Sequence, residues 1–507
     1  MTELMTPLIA LLCPLVASAL ILLCRKHPNI REAWTIAASI AMFLLVLSMA
    51  PLIAGGETVR CILFQSMFKD IYIGFKVDAF GEIFAITASS LWVLVSFYSI
   101  GYMRALKEHA QTRYFFAFCF AIMGAVGVAL SANLITLFLF FEVITVSTYP
   151  LVIHEQTPEA LAAGHKYLAY LMPAGAFLLL GITITYYLSG TTEFTPGGIR
   201  ALASASPIVV TGLFFAFLLG FMKAAWMPFH SWLPTAMIAP SPVSALLHAV
   251  AVVKAGVFGI VRIVGYVLGM DLMQEVGLWL ALACIAGFTM IVGSFFAITQ
   301  DNLKRRLAYS TISQLSYIIL GAALLTRDSI EGAMLHIPFH GYMKITLFLC
   351  AGAILAATGK TKVSEMAGLG KKMPVTMLAF SVAAIGMAGI PPVCGFISKL
   401  FLCKGAYAVG SPYGLAFLAV ILISSLLDVI YFFPIILTAF FKSPAGTAEE
   451  TGGAGEGGRE KITEAPLLMV APLAITALLS LAFFFNQNIF YIYDLARMAI
   501  SDLFGGG

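Results

Sequence analysis

Charge is scarce in this chain. Of its 507 residues only 11% are Asp, Glu, Lys or Arg, against about 25% in an ordinary soluble protein. The charge present is nearly balanced, at +4. No acidic partner is implied by it, and no basic surface interleaved with aromatics points to nucleic acid. Paired cysteines are lacking as well. The eight cysteines are scattered, with no CxxC and no His/Cys cluster at metal-ligand spacing. They read as free thiols in an apolar interior, and no metal site is expected. Low-complexity sequence is confined to residues 443–464, around TGGAGEGG. Those glycines neither follow a strand nor open a helix, which argues against a phosphate-cradling loop and leaves a flexible linker. In the absence of nucleotide, nucleophile or metal motifs, the chain is expected to hold no catalytic centre and no cofactor of its own.

What is abundant is apolar sequence, at 61%. Runs near 20 residues recur along the whole length, the signature of a polytopic helical membrane protein. Fourteen spans are expected, near 4–24, 33–54, 78–102, 113–131, 133–153, 163–188, 207–226, 240–268, 275–298, 305–325, 331–357, 374–397, 410–441 and 466–486. The first could be mistaken for a signal peptide, but its positive residues Arg25 and Lys26 follow the apolar run, so it reads as a retained span. Loops after odd-numbered spans hold 17 Lys and Arg, and loops after even-numbered spans hold 7, with Arg262 near the end of span 8 counted among the latter. The positive-inside bias therefore puts the odd loops in the cytoplasm and both termini outside the inner (cytoplasmic) membrane.

Against this background the ionisable residues inside spans stand out. Each costs a few kcal/mol in hydrocarbon and by default marks an ion or proton path. Span 5 places Glu142 amid apolar residues (FFEVIT), and Lys223 in span 7 is the nearest partner by type. The segment 221–260 holds Lys223, His248 and Lys254 and is broken by Pro228, Pro234, Pro240 and Pro242. A broken membrane helix is tolerated where it is buried in protein or lines a wet cavity. Span 11 reads His336-Ile-Pro-Phe-His340-Gly-Tyr-Met-Lys344. Positions i, i+4 and i+8 drift only about 40° per step and climb about 6 Å, so these three groups share one face. Imidazole takes a proton on one nitrogen and releases it from the other. A packed histidine core or a His-His metal site are the rival readings, and no carboxylate or cysteine lies near in sequence to complete a metal site. Span 12 is broken by Gly389, Pro391, Pro392 and Gly395 ahead of Lys399, and span 13 carries Asp428 as a secondary candidate, either a counter-charge or a group facing another subunit. Asp78, at the start of span 3, reads as a solvated interfacial charge.

Two broken, Lys-bearing segments five spans apart are what an inverted repeat produces. The expected organisation is a scaffold of helices 1–3 over residues 1–112, a first repeat of helices 4–8 over 113–268, a second repeat of helices 9–13 over 269–441, and a linker with the last helix over 442–507. The fold class is all-α and polytopic, with breaks in helices 7 and 12.

The segments YSIGYM at 98–103, FFE at 140–142, PSPVSALLHA at 240–249, DNLKRRLAYSTISQLSY at 301–317, H-x3-H-x3-K at 336–344 and GIPPVCGFISK at 389–399 resemble the antiporter-like subunits of respiratory complex I. They are equally similar to the D component of Mrp-type cation/proton antiporters and to the large membrane subunits of energy-converting hydrogenases. The likeness covers about 78–441. It implies a fourteen-helix fold of two inverted five-helix repeats, each with a half-channel, joined by a buried Lys/His/water chain. On that resemblance Glu142 pairs with Lys223, His248 and Lys254 link the halves, His336, His340 and Lys344 form the central stripe, and Lys399 is the terminal lysine, where some complex I members carry glutamate. The short sequence after span 14 leaves no room for the lateral helix of the largest complex I member, which favours the Mrp-D-like or hydrogenase-type relatives. The expected function is proton translocation, or cation/proton antiport, by a membrane subunit of a multisubunit complex; its partners are other membrane subunits, the bilayer, protons and Na+. A non-conducting membrane scaffold is the alternative.

Overall fold

The computed structural model describes residues 2–65, 71–246, 250–442 and 462–505. Each expected span has a helical counterpart. The first six are α1 (Thr6–Leu23), α2 (Pro28–Ala54), α3 (Ala79–Ala105), α4 (Gln111–Ala129), α5 (Leu134–Val152) and α6 (Pro158–Ser189). Span 7 is α7 (Pro207–Gly220), which ends in a 3-10 turn over Met222–Ala224, followed by the short α8 (Trp232–Thr235). Span 8 is divided into α9 (Ser241–Ala245) and α10 (Val252–Ile263), the latter continued by a π-helical turn over Val264–Leu268. After α11 (Met270–Glu275) come α12 (Leu278–Thr299), α13 (Leu303–Ala323) and α14 (Arg327–Thr358). A short α15 (Leu369–Lys372) precedes span 12, which is α16 (Pro374–Ala388) and α17 (Gly395–Ala408) on either side of its break. Then follow α18 (Pro412–Phe441), α19 (Leu467–Phe485) and α20 (Ile492–Phe504). Most of the expected linker, residues 443–461, lies outside the described residues.

Helix starts follow local chemistry. The Asn133 side chain accepts from Thr136 N at 2.8 Å to open α5, and Thr326 and Ser329 form a reciprocal capping box for α14. Ten of the described helices are long and apolar enough to cross a membrane. Their outer faces are apolar: Leu15 and Val16 on α1, Leu179 and Leu180 on α6, and Leu422, Ile423 and Leu426 on α18 are exposed. The interior, by contrast, holds Lys, His, Asp and Gln. Apolar outside and polar inside is the arrangement a bilayer selects, and the chain is a multi-pass membrane protein.

Two elements are not expected from the sequence. One is a small sheet, with β1 (Thr2–Glu3) parallel to β2 (Val59–Gln65) and β2 antiparallel to β3 (Tyr72–Val77). Asn133 donates to Tyr72 O at 2.9 Å, and Arg60 and the Tyr72 hydroxyl both donate to Glu193, so the sheet ties the start of α5 to the loop after α6. The second is α20, which buries Leu495, Ala499 and Leu503 against α3 and α14. Arg262 also differs from expectation. It is not a loop charge but lies inside α10, fully buried, and grips Asp78 with bonds of 2.5 and 2.6 Å. Asp78 is thus a paired cap of α3 rather than a solvated charge. Removing Arg262 from the loop count leaves the bias pointing the same way.

The two halves of the chain share a packing plan. α4 lies along α5 as α12 lies along α13, and the long helices α6 and α14 each pack on a broken segment, α7 and α16/α17. At the first break Ala225 adopts a left-handed conformation (φ 55°). Gly256 of α10 lets the helix meet that break: a Cβ there would come within 2.2 Å of Ala224 N. Lys223 and Lys254 are thereby held on adjoining backbone although 31 residues separate them in sequence.

Candidate functional site

The broken and long helices bring Lys254 of the first half and the polar groups of the second half into one buried chain. It begins at Lys254, in the first turn of α10, whose Nζ lies 2.8 Å from His340 Nδ1. A protonated Lys254 donates to that nitrogen. His340 and His336, one turn apart on α14, stack with ring centroids 5.6 Å apart and planes inclined by 21°. The helical spacing puts them on one face, as the sequence implies. His336 Nδ1 meets Ser398 Oγ at 2.9 Å and His336 Nε2 meets Gln314 Oε1 at 3.2 Å. Gln314, on α13, donates Nε2 to Asp428 Oδ2 at 2.8 Å. Its oxygen is then the atom facing His336, which places the imidazole proton on Nε2 and leaves Nδ1 to accept from the Ser398 hydroxyl. Asp428, on α18, receives Lys399 Nζ at 2.7 Å and the Tyr431 hydroxyl. Lys399 completes its set of three acceptors with Met387 O at 2.7 Å and Ser425 Oγ at 3.1 Å.

Every charged or hydrogen-bonding member of this run is buried: Lys254, His340, His336, Gln314 and Asp428 are fully enclosed and Lys399 is 5% exposed. Such an assembly is expensive. A buried ion pair adds little net stability over apolar side chains of the same volume, so its presence calls for a purpose beyond packing. Lys344 lies one turn beyond His340 and leaves the run sideways. It donates to Ser310 Oγ at 2.5 Å and faces the Phe432 ring at 5.7 Å. His248, between Lys223 and Lys254 in sequence, lies outside the described residues.

The first half is arranged differently. The sequence suggests a direct Glu142–Lys223 pair, and no such ion pair is present among the described residues. Lys223 Nζ instead donates to the backbone carbonyl of Phe141 and sits 3.3 Å from the centre of the Phe141 ring. The cause is the break: the 3-10 turn ends α7 at the level of Phe141, and the side chain is captured by the nearest carbonyl. Glu142, the next residue, is half-buried; its Oε1 is sealed from solvent with no hydrogen-bond partner, and the side chain lines an apolar groove with Phe116, Phe120 and Val143. Thus one half holds a closed Lys–carboxylate pair and the other an open one.

Two members of the chain are hard to find from sequence. Gln314 lies within the segment DNLKRRLAYSTISQLSY, but a neutral amide among serines and threonines carries no charge signal. Asp428 reads there without a partner, because the residues that meet it, Gln314 and Lys399, lie 114 and 29 positions away.

Comparison with known proteins agrees with this architecture. Residues 131–427 match the family described as NADH:quinone oxidoreductase/Mrp antiporter, TM. The chain is 32% identical over 403 residues to the N subunit of NADH-quinone oxidoreductase of Desulforudis audaxviator, covering 76% of this chain and 78% of that one. It is 29% identical over 479 residues to the D subunit of a Na(+)/H(+) antiporter of Alkalihalophilus pseudofirmus, covering 94% and 93%. Its fold superposes on a chain of the Mrp complex from Dietzia sp. DQ12-45-1b with a TM-score of 0.83, at 21% identity and with 99% and 97% coverage. With more than half of its length matched by the family, and a relative above 30% identity covered over 78% of its own length, the chain belongs to the NADH:quinone oxidoreductase/Mrp antiporter transmembrane family.

Proposed function

We propose that this chain is a proton-translocating membrane subunit of a larger complex, either a cation/proton antiporter or an ion-translocating oxidoreductase. The observation that carries the reading is the buried run from Lys254 through His340, His336 and Gln314 to Asp428 and Lys399. It lies inside a helix bundle with an apolar exterior and alternates groups that bind and release protons with one that only orients them. Gln314 is a positioning residue, since an amide does not titrate near neutrality; it sets the His336 tautomer and holds Asp428. The redox chemistry or ion gradient that drives the chain belongs to neighbouring membrane subunits, and in the antiporter setting Na+ is the second ion. Residues 113–268 and 269–441 act as the two repeats, each ending in its own half-channel.

The difference between the halves suggests how movement couples to charge. At an effective dielectric of about 20, widening a Lys–carboxylate separation from about 4 to about 8 Å removes about 2 kcal/mol of attraction, roughly a thirtyfold change in proton occupancy. Asp428–Lys399 is at the near end of that range. Glu142–Lys223, held apart by the Phe141 carbonyl, has room to close. Alternation of the two would pass a proton along the run between them.

A scaffold would need no titratable groups, and two variants separate it from a conductor. His336→Ala should reduce proton transport because it removes the ring that joins His340 to Gln314, and Lys344→Met should reduce it by removing the titratable amine one turn beyond His340. Transport is read with a pH-sensitive dye in vesicles carrying assembled complexes at matched expression. Near-normal transport in both variants would favour the scaffold.

The orientation follows from the loop charges. Single cysteines introduced into 443–464 should be labelled by an impermeant thiol reagent from the cytoplasmic side, and those in 193–207 from outside. The opposite labelling would reverse the direction of both half-channels and the placement of the termini.

A further inference from the structure

Three ligating side chains that the buried run does not use converge where α3 turns into α4. Glu108 and His109 lie in that turn, and His154 follows the end of α5. One ligand atom from each lies within 4.8 Å of the other two. His154 is fully buried, and neither of its ring nitrogens has a hydrogen-bond partner. Buried polar atoms are as a rule hydrogen-bonded, so the ring is set for something other than packing. Glu108 Oε2 is its nearest anionic neighbour, at 3.8 Å from Nε2, too far for a direct hydrogen bond. The His109 ring lies over His154 at 4.8 Å between centroids and is tilted by 35°, so the two imidazoles are splayed rather than stacked flat.

We propose that Glu108, His109 and His154 bind a divalent transition-metal ion of the Zn2+ class, with a water in the fourth position. Two imidazole nitrogens and a carboxylate oxygen form a donor set that suits zinc and disfavours Ca2+ and Mg2+, which take oxygen ligands. Donors bound to one Zn2+ at about 2.0–2.2 Å lie closer together than they do here. The contraction needed falls on exposed His109 and half-buried Glu108, both in a surface turn, while His154 stays fixed. The motif is invisible in sequence because the turn and His154 lie 45 residues apart, which is why sequence leads to no expectation of a metal site.

The bound ion would pin the α3–α4 turn to the end of α5, the helix that carries Glu142. Arg113 already reaches across this junction, donating to His154 O at 2.8 Å, and it also lines the groove containing Glu142. The site therefore sits where it can restrain the first half without touching the run from Lys254 to Lys399.

The test uses the assembled complex, purified without a polyhistidine tag, stripped with chelator and equilibrated with buffered Zn2+ alone. Metal is counted by mass spectrometry, and affinity is read by competition with a fluorescent chelator. The wild-type complex should hold one more zinc per copy of this chain than the His109→Ala complex, with affinity at this site lowered by about tenfold or more in Glu108→Gln. His109 is exposed, so its replacement leaves folding intact even if His154→Ala does not assemble. X-ray absorption at the zinc edge should show two imidazoles in the wild-type difference spectrum. Equal zinc content and affinity in wild type, His109→Ala and Glu108→Gln would overturn the proposal.

Discussion

Lys399→Met is expected to destabilise the assembled complex by about 3–5 kcal/mol, because it leaves Asp428 buried with its cationic partner removed. Asp428 would retain Gln314 and the Tyr431 hydroxyl, and two neutral donors do not replace a cation 2.7 Å away. Adding Asp428→Asn should restore most of the loss, since a neutral pair of similar volume carries no stranded charge. Thermal denaturation of the detergent-solubilised complex, followed by a dye that reports exposed thiols, measures both steps. Cys394, buried next to the α17 helix, is a built-in reporter. A single variant as stable as wild type would mean that the Asp428 charge is not held as the hydrogen bonds imply.

Glu142→Gln should behave in the opposite way. Among the described residues Glu142 makes no ion pair and its buried Oε1 has no partner, so little stability is at stake, within about 0.5 kcal/mol of wild type. Proton transport should nonetheless fall by at least about tenfold, because the open pair with Lys223 can no longer close and the roughly 2 kcal/mol of coupling is lost. Native gels establish assembly and a pH-sensitive dye in vesicles gives the rate. Full-rate transport by an assembled Glu142→Gln complex would remove the first half from the mechanism. Gly175 bears on the same point: a Cβ there would approach Glu142 Oε1 to 2.7 Å, so the backbone of α6 is kept bare where the carboxylate needs space to move.

The legible part of this protein is what periodicity and hydropathy encode. Fourteen spans, two breaks and the His336/His340 face follow from local sequence, since a membrane helix must be long and apolar and i, i+4 residues must share a face. Partners are not legible. Lys223 and Glu142 match by charge, but the 3-10 turn at Met222–Ala224 delivers the lysine to a carbonyl instead. Gln314 becomes a functional candidate, and Asp428 gains its partners, only where α13, α17 and α18 converge. The β2–β3 pair is hidden because its alternation is short and interrupted, and α20 because thirteen residues with one apolar face carry no spanning signal. Arg262 reads as a loop charge since nothing local shows that Asp78, 184 residues away, receives it.

The central claim is that protons pass through the run ending at Asp428 and Lys399. The most direct measurement is the initial rate of proton transport in vesicles containing the complex with Lys399→Met and Asp428→Asn together, the variant in which stability is restored and both charges are gone. The account predicts correctly assembled complexes with transport at the background rate of empty vesicles. Transport at the wild-type rate in that variant would contradict it.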